Sequence, residues 1–472
     1  MSLYGALLPQ ILLILTTLFI LSVKIITRDQ VEFAYVALIG ILLSMGAFGL
    51  INPGQTVSGF TVDWLGMFST FLLYVTAFAT ICYSLETFKR RSGDCTEWIV
   101  LLLLATIGLS VMASTYHLLM LFLGLEMASL ALYVLCGYYR NSRQSLESSL
   151  KYFIQGSVGS AVFLLGLGLL FAHQQTLVIN QATFVPEVPS VTYWISLLVV
   201  VASLAFKLSL IPFHLWVPDV YEGAPTPITG FMSVAVKLAV LTVFIRFLSH
   251  VSSPESFSWS TLIAVLATLT IIGGNMLALV QESVKRMLAY SSIAHAGYLS
   301  LGLVAGTVEG YSAILFYLAI YLVMNLAAFG IIESVAGESG NYSYERFHGL
   351  SMEHPGLAIA LAVCMISLSG LPPTAGFMGK LMLFYSVVGE GYTWLALVAV
   401  AGSLISVAFY FKVIVHSYLK EANLNQESKS QPGWIARSLS VACMIYLIVL
   451  GVIPGKIYDM IGAIARLTEG IV

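Results

Sequence analysis

The chain has 472 residues, of which 59% are hydrophobic and only 9% are charged. A soluble domain normally carries about 25% charged residues, so this composition excludes an ordinary water-soluble protein. The 21 Lys and Arg residues nearly balance the 23 Asp and Glu residues, so no strongly basic surface indicates a nucleic acid partner. Long apolar segments follow one another almost from end to end. The sequence therefore predicts a single all-α membrane domain over residues 1–472, surrounded by the lipid bilayer.

Charged residues and short segments rich in Pro, Gly and Asn divide the chain into about fourteen predicted transmembrane helices, each near the 20 apolar residues that a span requires. The predicted spans are residues 6–23, 31–51, 64–84, 98–114, 116–139, 152–172, 193–217, 227–249, 259–281, 287–305, 310–333, 357–388, 392–416 and 435–454. Most of the loops between them are short, so no separate soluble domain is expected.

The distribution of basic residues gives an independent test of this division, because Lys and Arg concentrate in cytoplasmic loops. Fifteen of them fall in loops after odd-numbered spans, whereas only Arg246, Lys456 and Arg466 fall on the opposite side. A miscounted helix in the middle of the chain would destroy this asymmetry. It predicts a multi-pass protein of the bacterial inner membrane with both termini on the periplasmic side.

Spans seven and twelve contain proline at positions where a continuous helix is not expected. Pro212 and Pro218 lie in span seven, and Pro372 and Pro373 lie in span twelve. Proline removes a backbone donor, and the interruption is tolerated in a membrane only inside protein or beside water. The two spans are five apart, and an odd number of spans per repeat inverts the second copy. The pattern predicts two inverted five-helix repeats, at 98–249 and 259–416, with function near the membrane midplane.

Four ionisable side chains lie within the predicted spans: Glu126, Lys207, Lys237 and Lys380. Each costs roughly 2.5–3.5 kcal/mol at the bilayer centre. An ion pair that braces helices is one interpretation, but one acid cannot neutralise three lysines, so the set favours an ion or proton path. Burial disfavours the charged form of an amine, which allows the alternation that a proton relay needs. His295, within span ten, is either a further relay group or a partner in a local hydrogen bond.

Several kinds of cofactor site are missing from the sequence. The five cysteines never occur at CxxC spacing, and no phosphate-binding loop or GxGxxG segment is present. The eight histidines are scattered, with no pair placed for haem ligation. We therefore expect no metal and no redox cofactor in this chain, so any electron transfer would take place in another subunit.

Five segments form a distinctive set of motifs in a fixed order. The most specific is WVPDVYEGAPTP at 216–227, which is followed by Lys237 within the next span. The others are LFLGLE at 121–126, SLESSLKY at 145–152, KRMLAYSSIAH at 285–295 and GFMGK at 376–380. Together they resemble the antiporter-like membrane subunits of respiratory complex I over nearly the whole chain. Lys380 favours the N type of the bacterial NADH:quinone oxidoreductase over the M type, which carries glutamate there, and the plastid homologue is an alternative.

The resemblance implies a role for each of the charged residues in the membrane. Glu126 and Lys207 would form a regulating ion pair, Lys237 would be the central proton relay, and Lys380 would lead to the periplasmic exit. The chain would be a non-redox subunit of a proton-translocating NADH:quinone oxidoreductase, beside other complex I membrane subunits, including neighbouring antiporter-like ones. NADH, FMN, iron–sulfur clusters and quinone would bind to other subunits.

Two other functions remain open from the residues alone. One is a subunit of a multisubunit cation/proton antiporter or of a membrane-bound hydrogenase. The other is an independent secondary transporter, which would need polar groups dedicated to a solute at the broken helices. Span twelve offers mainly hydroxyl groups besides its lysine, which favours protons over a solute.

Overall fold

The computed structural model describes residues 7–27, 31–57, 60–90, 95–179, 191–250, 258–336, 340–421 and 433–469. Within these ranges the chain is a bundle of apolar helices, which confirms the predicted fold class. Thirteen of the described helices are long and apolar enough to cross a membrane, and two shorter apolar helices follow each other in span twelve. Counted as one interrupted span, the two short helices bring the total in the described residues to the fourteen spans that the sequence predicts. Both chain termini, and the basic residues Arg28, Arg91 and Lys429, lie outside the described residues.

The spans are numbered in chain order, and each interrupted span is given as two helices. The first eight are Leu8–Ile26 (α1), Glu32–Gly46 (α2), Trp64–Arg90 (α3), Cys95–Ala113 (α4), Leu118–Cys136 (α5), Arg143–Gln174 (α6), Val191–Leu208 with Trp216–Gly223 (α7a and α7b) and Thr226–His250 (α8). The others are Trp259–Leu279 (α9), Val284–Ala305 (α10), Val308–Ala336 (α11), Pro355–Ser369 with Ala375–Gly389 (α12a and α12b), Thr393–Tyr418 (α13) and Trp434–Val452 (α14).

Both predicted interruptions are present. Span seven stops at Leu208 and resumes at Trp216, on either side of Pro212. Span twelve stops at Ser369, and its C-cap Gly370 has φ +80°, a left-handed conformation that a residue with a Cβ rarely adopts. The chain then passes Pro372 and Pro373 and resumes helix at Ala375. The backbone carbonyls at these interruptions lack helical partners, so other groups must satisfy them.

Three elements differ from the prediction. The sixth span begins at Arg143, nine residues earlier than expected, because Ser142 caps it by accepting a hydrogen bond from the backbone N–H of Ser145 at 3.3 Å. A small antiparallel hairpin, Gln55–Val57 (β1) with Phe60–Val62 (β2), lies between α2 and α3. A helix at Gly455–Glu469 (α15) follows the last span, and it packs on α11 and α3 through one apolar side.

The centre of the bundle is formed by α8, α10 and α11. The most apolar stretch of α8 is completely buried, and that of α10 and α11 is 94% buried, against 28% for α1 and 22% for α14. Peripheral helices therefore face lipid or partners, whereas the three central helices face only protein. Polar side chains on the central helices must find their hydrogen-bond partners within the chain.

Candidate functional site

The five predicted site residues all lie in spans, but in two different environments. Lys207 on α7a, Lys237 on α8, His295 on α10 and Lys380 on α12b are buried, with at most 3% of their surface exposed. Glu126 on α5 is only half-buried. Buried amines in a membrane must be partnered or neutral, so the contacts of each lysine decide what it can do.

Lys237 is held by neutral groups. Its Nζ donates to the backbone carbonyl and to the hydroxyl of Ser292 on α10. The hydroxyl of Tyr321 on α11 donates to the same Ser292 Oγ at 3.1 Å, and the ring of Tyr321 lies 5.6 Å from Nζ. Among the described residues, no carboxylate forms an ion pair with Lys237. Because no negative charge fixes its proton, this amine can exist with or without it.

Lys380 uses the interruption in its own span. Its Nζ donates to the carbonyls of Leu368 and Ser369, each at 3.0 Å, and lies 4.6 Å from the centre of the Tyr298 ring. These two carbonyls belong to the last turn of α12a and have no intrahelical donor. The lysine therefore satisfies the backbone carbonyls that the interruption leaves unpaired. This contact explains why an interrupted helix and a buried lysine occur together in this span.

Glu126 and Lys207 do not form the expected ion pair. Glu126 accepts a hydrogen bond from Ser160 on α6, and Lys207 donates to Ser129 Oγ at 3.0 Å. Ser129 lies one turn after Glu126 on α5, so the lysine reaches the correct helix but contacts a hydroxyl. The two charges still interact through space.

His295 makes hydrogen bonds through both ring nitrogens. Tyr317 on α11 bonds to Nδ1 at 2.7 Å, and Tyr410 on α13 bonds to Nε2 at 3.0 Å. The imidazole also interacts electrostatically with both Lys237 and Lys380. The sequence analysis did not single out either tyrosine, because a tyrosine in an apolar span is normally a core residue. The only signal would have been the number of tyrosines in the two spans that flank His295.

One buried ion pair was missed by the sequence analysis. Arg246 was counted as an outer-loop residue, but it is fully buried on α8, where Nη2 contacts Asp63 Oδ1 at 2.7 Å and the carbonyl of Ala113 at 2.8 Å. The guanidinium also lies 4.3 Å from the centre of the Tyr116 ring. Asp63 directly precedes α3, and the sequence analysis did not single it out. The pair joins α3, α4 and α8 at the end of the bundle opposite the α7b–α8 link.

Lys285 is one of the fifteen basic residues that the sequence analysis assigned to cytoplasmic loops, but the structure gives it a further role. It is 2% exposed, and its Nζ donates to the carbonyls of Glu222 at 3.0 Å and Ala224 at 2.6 Å. Its neighbour Arg286 pairs with Glu222 and with Asp219 at 3.2 Å. These contacts fix the link between α7b and α8 against the start of α10. A polar cavity of about 170 Å³ opens beside this link.

Comparison with known proteins identifies the family of the chain. Residues 115–406 match the family described as NADH:quinone oxidoreductase/Mrp antiporter, TM. The chain belongs to this family. All five predicted site residues fall within the matched range.

A curated relative and two solved structures extend the family match to the whole chain. NADH-quinone oxidoreductase subunit N 2 of Chloroherpeton thalassium is 36% identical, over 95% of this chain and 91% of the relative. A chain of respiratory complex I from Thermus thermophilus is 30% identical with a TM-score of 0.83, over 96% of this chain and 98% of the other. A chain of an archaeal membrane-bound sulfane sulfur reductase is 25% identical with a TM-score of 0.88, over 100% and 99%. The predicted resemblance, including the N type, is confirmed.

Proposed function

We propose that the chain is the N-type proton-translocating membrane subunit of an NADH:quinone oxidoreductase. The observation that carries the proposal is the environment of Lys237, an amine in the most buried span with only neutral hydrogen-bond partners. The chain is a non-redox subunit, and it couples electron transfer in other subunits to proton movement. NADH, FMN, iron–sulfur clusters and quinone are held by those subunits, and neighbouring antiporter-like subunits contact its exposed apolar faces.

The broken helices favour protons over a solute as cargo. At the interruption of span twelve, Lys380 is hydrogen-bonded to the freed carbonyls of Leu368 and Ser369. The hydroxyls of Ser369 and Thr374 also donate to nearby backbone carbonyls, those of Ile366 and Leu371. Each of these side chains donates to a backbone carbonyl of its own span, so these three polar groups are already engaged and do not surround a site for a solute. A proton as cargo needs only a group that can take it up and release it, and the buried amine of Lys380 is such a group.

In this mechanism Glu126 and Lys207 adjust the proton affinity of Lys237 by electrostatics. Two unit charges about 8 Å apart interact by about 2 kcal/mol at an effective dielectric constant of 20. That energy changes a protonation equilibrium by about thirtyfold. Moving Lys207 between Ser129 and Glu126 would therefore alter the charge felt at α8. Lys237 then passes its proton towards His295 and on to Lys380. Lys380 releases the proton to the outer side.

The proposed organisation is two inverted repeats, 98–249 and 259–416, in a bacterial inner membrane. The two interrupted spans, five apart, support the repeats. The asymmetry of basic residues supports outward-facing termini.

A cysteine placed at Asn141, after α5, should react with an impermeant maleimide only in permeabilised cells. A cysteine at Glu390, after α12b, should react in intact cells, because the α5–α6 link faces the cytoplasm and the α12b–α13 link faces outward. Both positions are exposed, and the unmodified chain serves as the blank. Labelling of both positions from the same side would mean that the number of spans between them is wrong.

The chain should co-purify with NADH:quinone reductase activity. The experiment is affinity purification of the tagged chain from mildly solubilised membranes, followed by native gel electrophoresis with an NADH-dependent activity stain. We expect one large complex that contains both the tag and the activity. A tagged chain that migrates as a free monomer, in membranes where the reductase activity is intact, would contradict the proposal.

One alternative is supported by a specific observation. The TM-score of 0.88 with the sulfane sulfur reductase chain means that the same fold occurs in a complex with different electron-transfer chemistry. If the purified complex lacks NADH oxidation but reduces a sulfane sulfur compound, this alternative replaces the NADH reaction. The proton-conducting role of the buried lysines would be the same in both complexes.

A further inference from the structure

A continuous hydrogen-bonded chain of four side chains runs through the centre of the bundle. The order is Ser291, Tyr410, His295 and Tyr317, drawn from α10, α13, α10 and α11. The hydroxyls of Ser291 and Tyr410 bond to each other, and Tyr410 and Tyr317 take the two nitrogens of His295. Each of the four is at most 1% exposed. The three links between them are direct hydrogen bonds between side chains.

The two ends of the chain lie beside the two central lysines. Ser291 directly precedes Ser292, whose hydroxyl and carbonyl hold Lys237. At the other end, the ring of Tyr317 packs against Gly379, the residue before Lys380. A Cβ built at Gly379 would lie 2.3 Å from Cδ2 of Tyr317. The four side chains therefore begin one residue from the serine that holds Lys237 and end against the residue before Lys380, although among the described residues none of the four bonds directly to either lysine.

Because of the chemistry of imidazole, the choice of donor and acceptor in each hydrogen bond of this chain depends on the choice in the others. A neutral histidine has one N–H donor and one acceptor nitrogen, and a hydroxyl donates only one hydrogen. If Tyr410 donates to Nε2, it must accept from Ser291, and Nδ1–H must donate to Tyr317. If Tyr410 donates to Ser291, every bond in the chain is reversed. The chain therefore has two self-consistent polarities, and each link reinforces the next.

We propose that Tyr410 and Tyr317 are proton-relay residues, which together with His295 and Ser291 carry protons between Lys237 and Lys380. The proposal rests on the proposed function, which supplies the driving force. In one transfer Ser291 receives a proton and gives its own to Tyr410, which passes its hydroxyl proton to Nε2. Nδ1 releases its proton to Tyr317, whose hydroxyl proton leaves towards Lys380. One proton enters and one leaves, no group is oxidised, and rotation of the hydroxyls with a tautomer change restores the first polarity.

The test is a set of tyrosine-to-phenylalanine variants in the complete complex, assayed in membrane vesicles. Tyr410→Phe and Tyr317→Phe keep the ring and remove only the hydroxyl. We expect each to assemble normally and to lower coupled turnover by about 100-fold, the lower end of what a positioned proton-transfer group contributes. Because the links are in series, the double variant should be no worse than either single variant. The solvent deuterium isotope effect on the remaining turnover should rise, since proton transfer then limits the rate.

Tyr83→Phe is the matched control. Tyr83 is a buried tyrosine on α3 whose hydroxyl bonds to Ser440 on α14 at 3.2 Å, and neither residue belongs to the chain of four. It should pump normally with an unchanged isotope effect. Normal pumping by Tyr410→Phe would overturn the relay, and so would additive losses in the double variant, which indicate two separate packing defects.

Two further variants keep the test decisive if a tyrosine variant fails to assemble. Ser291→Ala should lose coupled turnover, whereas Ser291→Thr, which retains a hydroxyl, should keep it. Normal turnover by Ser291→Ala would overturn the relay. Lys237→Ala, assayed in parallel, separates the relay from the proposed function. If Lys237→Ala is defective while Tyr410→Phe behaves like Tyr83→Phe, only the relay is wrong, whereas normal pumping by Lys237→Ala rejects the proposed function itself.

Discussion

Replacing Lys237 by alanine should nearly abolish proton pumping while the complex still assembles. The side chain is 2% exposed and bonds only to Ser292, so its removal deletes no ion pair. A relay needs a group that both holds and releases a proton, and alanine cannot do either. The measurement is proton uptake by membrane vesicles driven by NADH, with assembly checked on native gels. We expect uptake to fall by about 100-fold.

An arginine at position 237 tests whether pumping needs only a positive charge there or a group that can also release its proton. Lys237→Arg keeps a positive charge but stays protonated in proteins, so it should pump almost as poorly as the alanine variant. Lys89→Ala is a matched control, because Lys89 is 42% exposed and pairs with Glu86 on the surface. Full pumping by the arginine variant, with normal assembly, would exclude Lys237 from any step that transfers a proton.

The second large effect concerns Glu126 and Lys207, which affect each other without touching. Glu126→Gln and Lys207→Met should each impair pumping strongly, because in the proposed mechanism each removes a charge that biases Lys237. If the two residues only braced the helices, removing both would restore what removing one destroys. Since their hydrogen-bond partners are Ser160 and Ser129 rather than each other, we expect no such rescue of pumping.

The double-mutant cycle must read assembly and pumping separately, because one assay that mixes both gives no clear coupling energy. We expect the double variant Glu126→Gln with Lys207→Met to assemble well and to pump poorly. Glu97→Gln serves as the control carboxylate, since Glu97 forms an exposed ion pair with Lys24 at 3.4 Å. Wild-type pumping by the double variant would reduce Glu126 and Lys207 to a structural role.

Local signals in the sequence were sufficient for most of the fold. The lengths of the apolar segments predict the spans, and the alternation of basic loops supports their number. The prolines near 212 and 372 predict the two interruptions. These properties depend on residues close together in the chain. Lys380 could be identified as a site residue for the same reason, because a charge in an apolar run is visible without knowing its neighbours.

The contacts of the site could not be predicted, because they join residues that are far apart in sequence. Tyr410 is 115 positions from His295, and Asp63 is 183 positions from Arg246. Residues so far apart lie in different spans, so the spacing of residues within one span cannot reveal the contact. The expected ion pair of Glu126 with Lys207 is absent for a related reason: the resemblance implied that Lys207 faces α5, but the turn of α5 that it reaches depends on packing.

The buried pair of Asp63 and Arg246 has a consequence for how the protein is made. In the proposed orientation Arg246 lies at the outer end of α8, against the tendency of arginine to stay inside. During synthesis the preceding segments emerge first, so Asp63 is already in place when α8 inserts and can receive the guanidinium. A truncated chain that lacked the first three spans would bury Arg246 without its counter-ion, at a cost of about 3–5 kcal/mol. The contact with Asp63 therefore ties the stability of α8 to the segment at the start of α3.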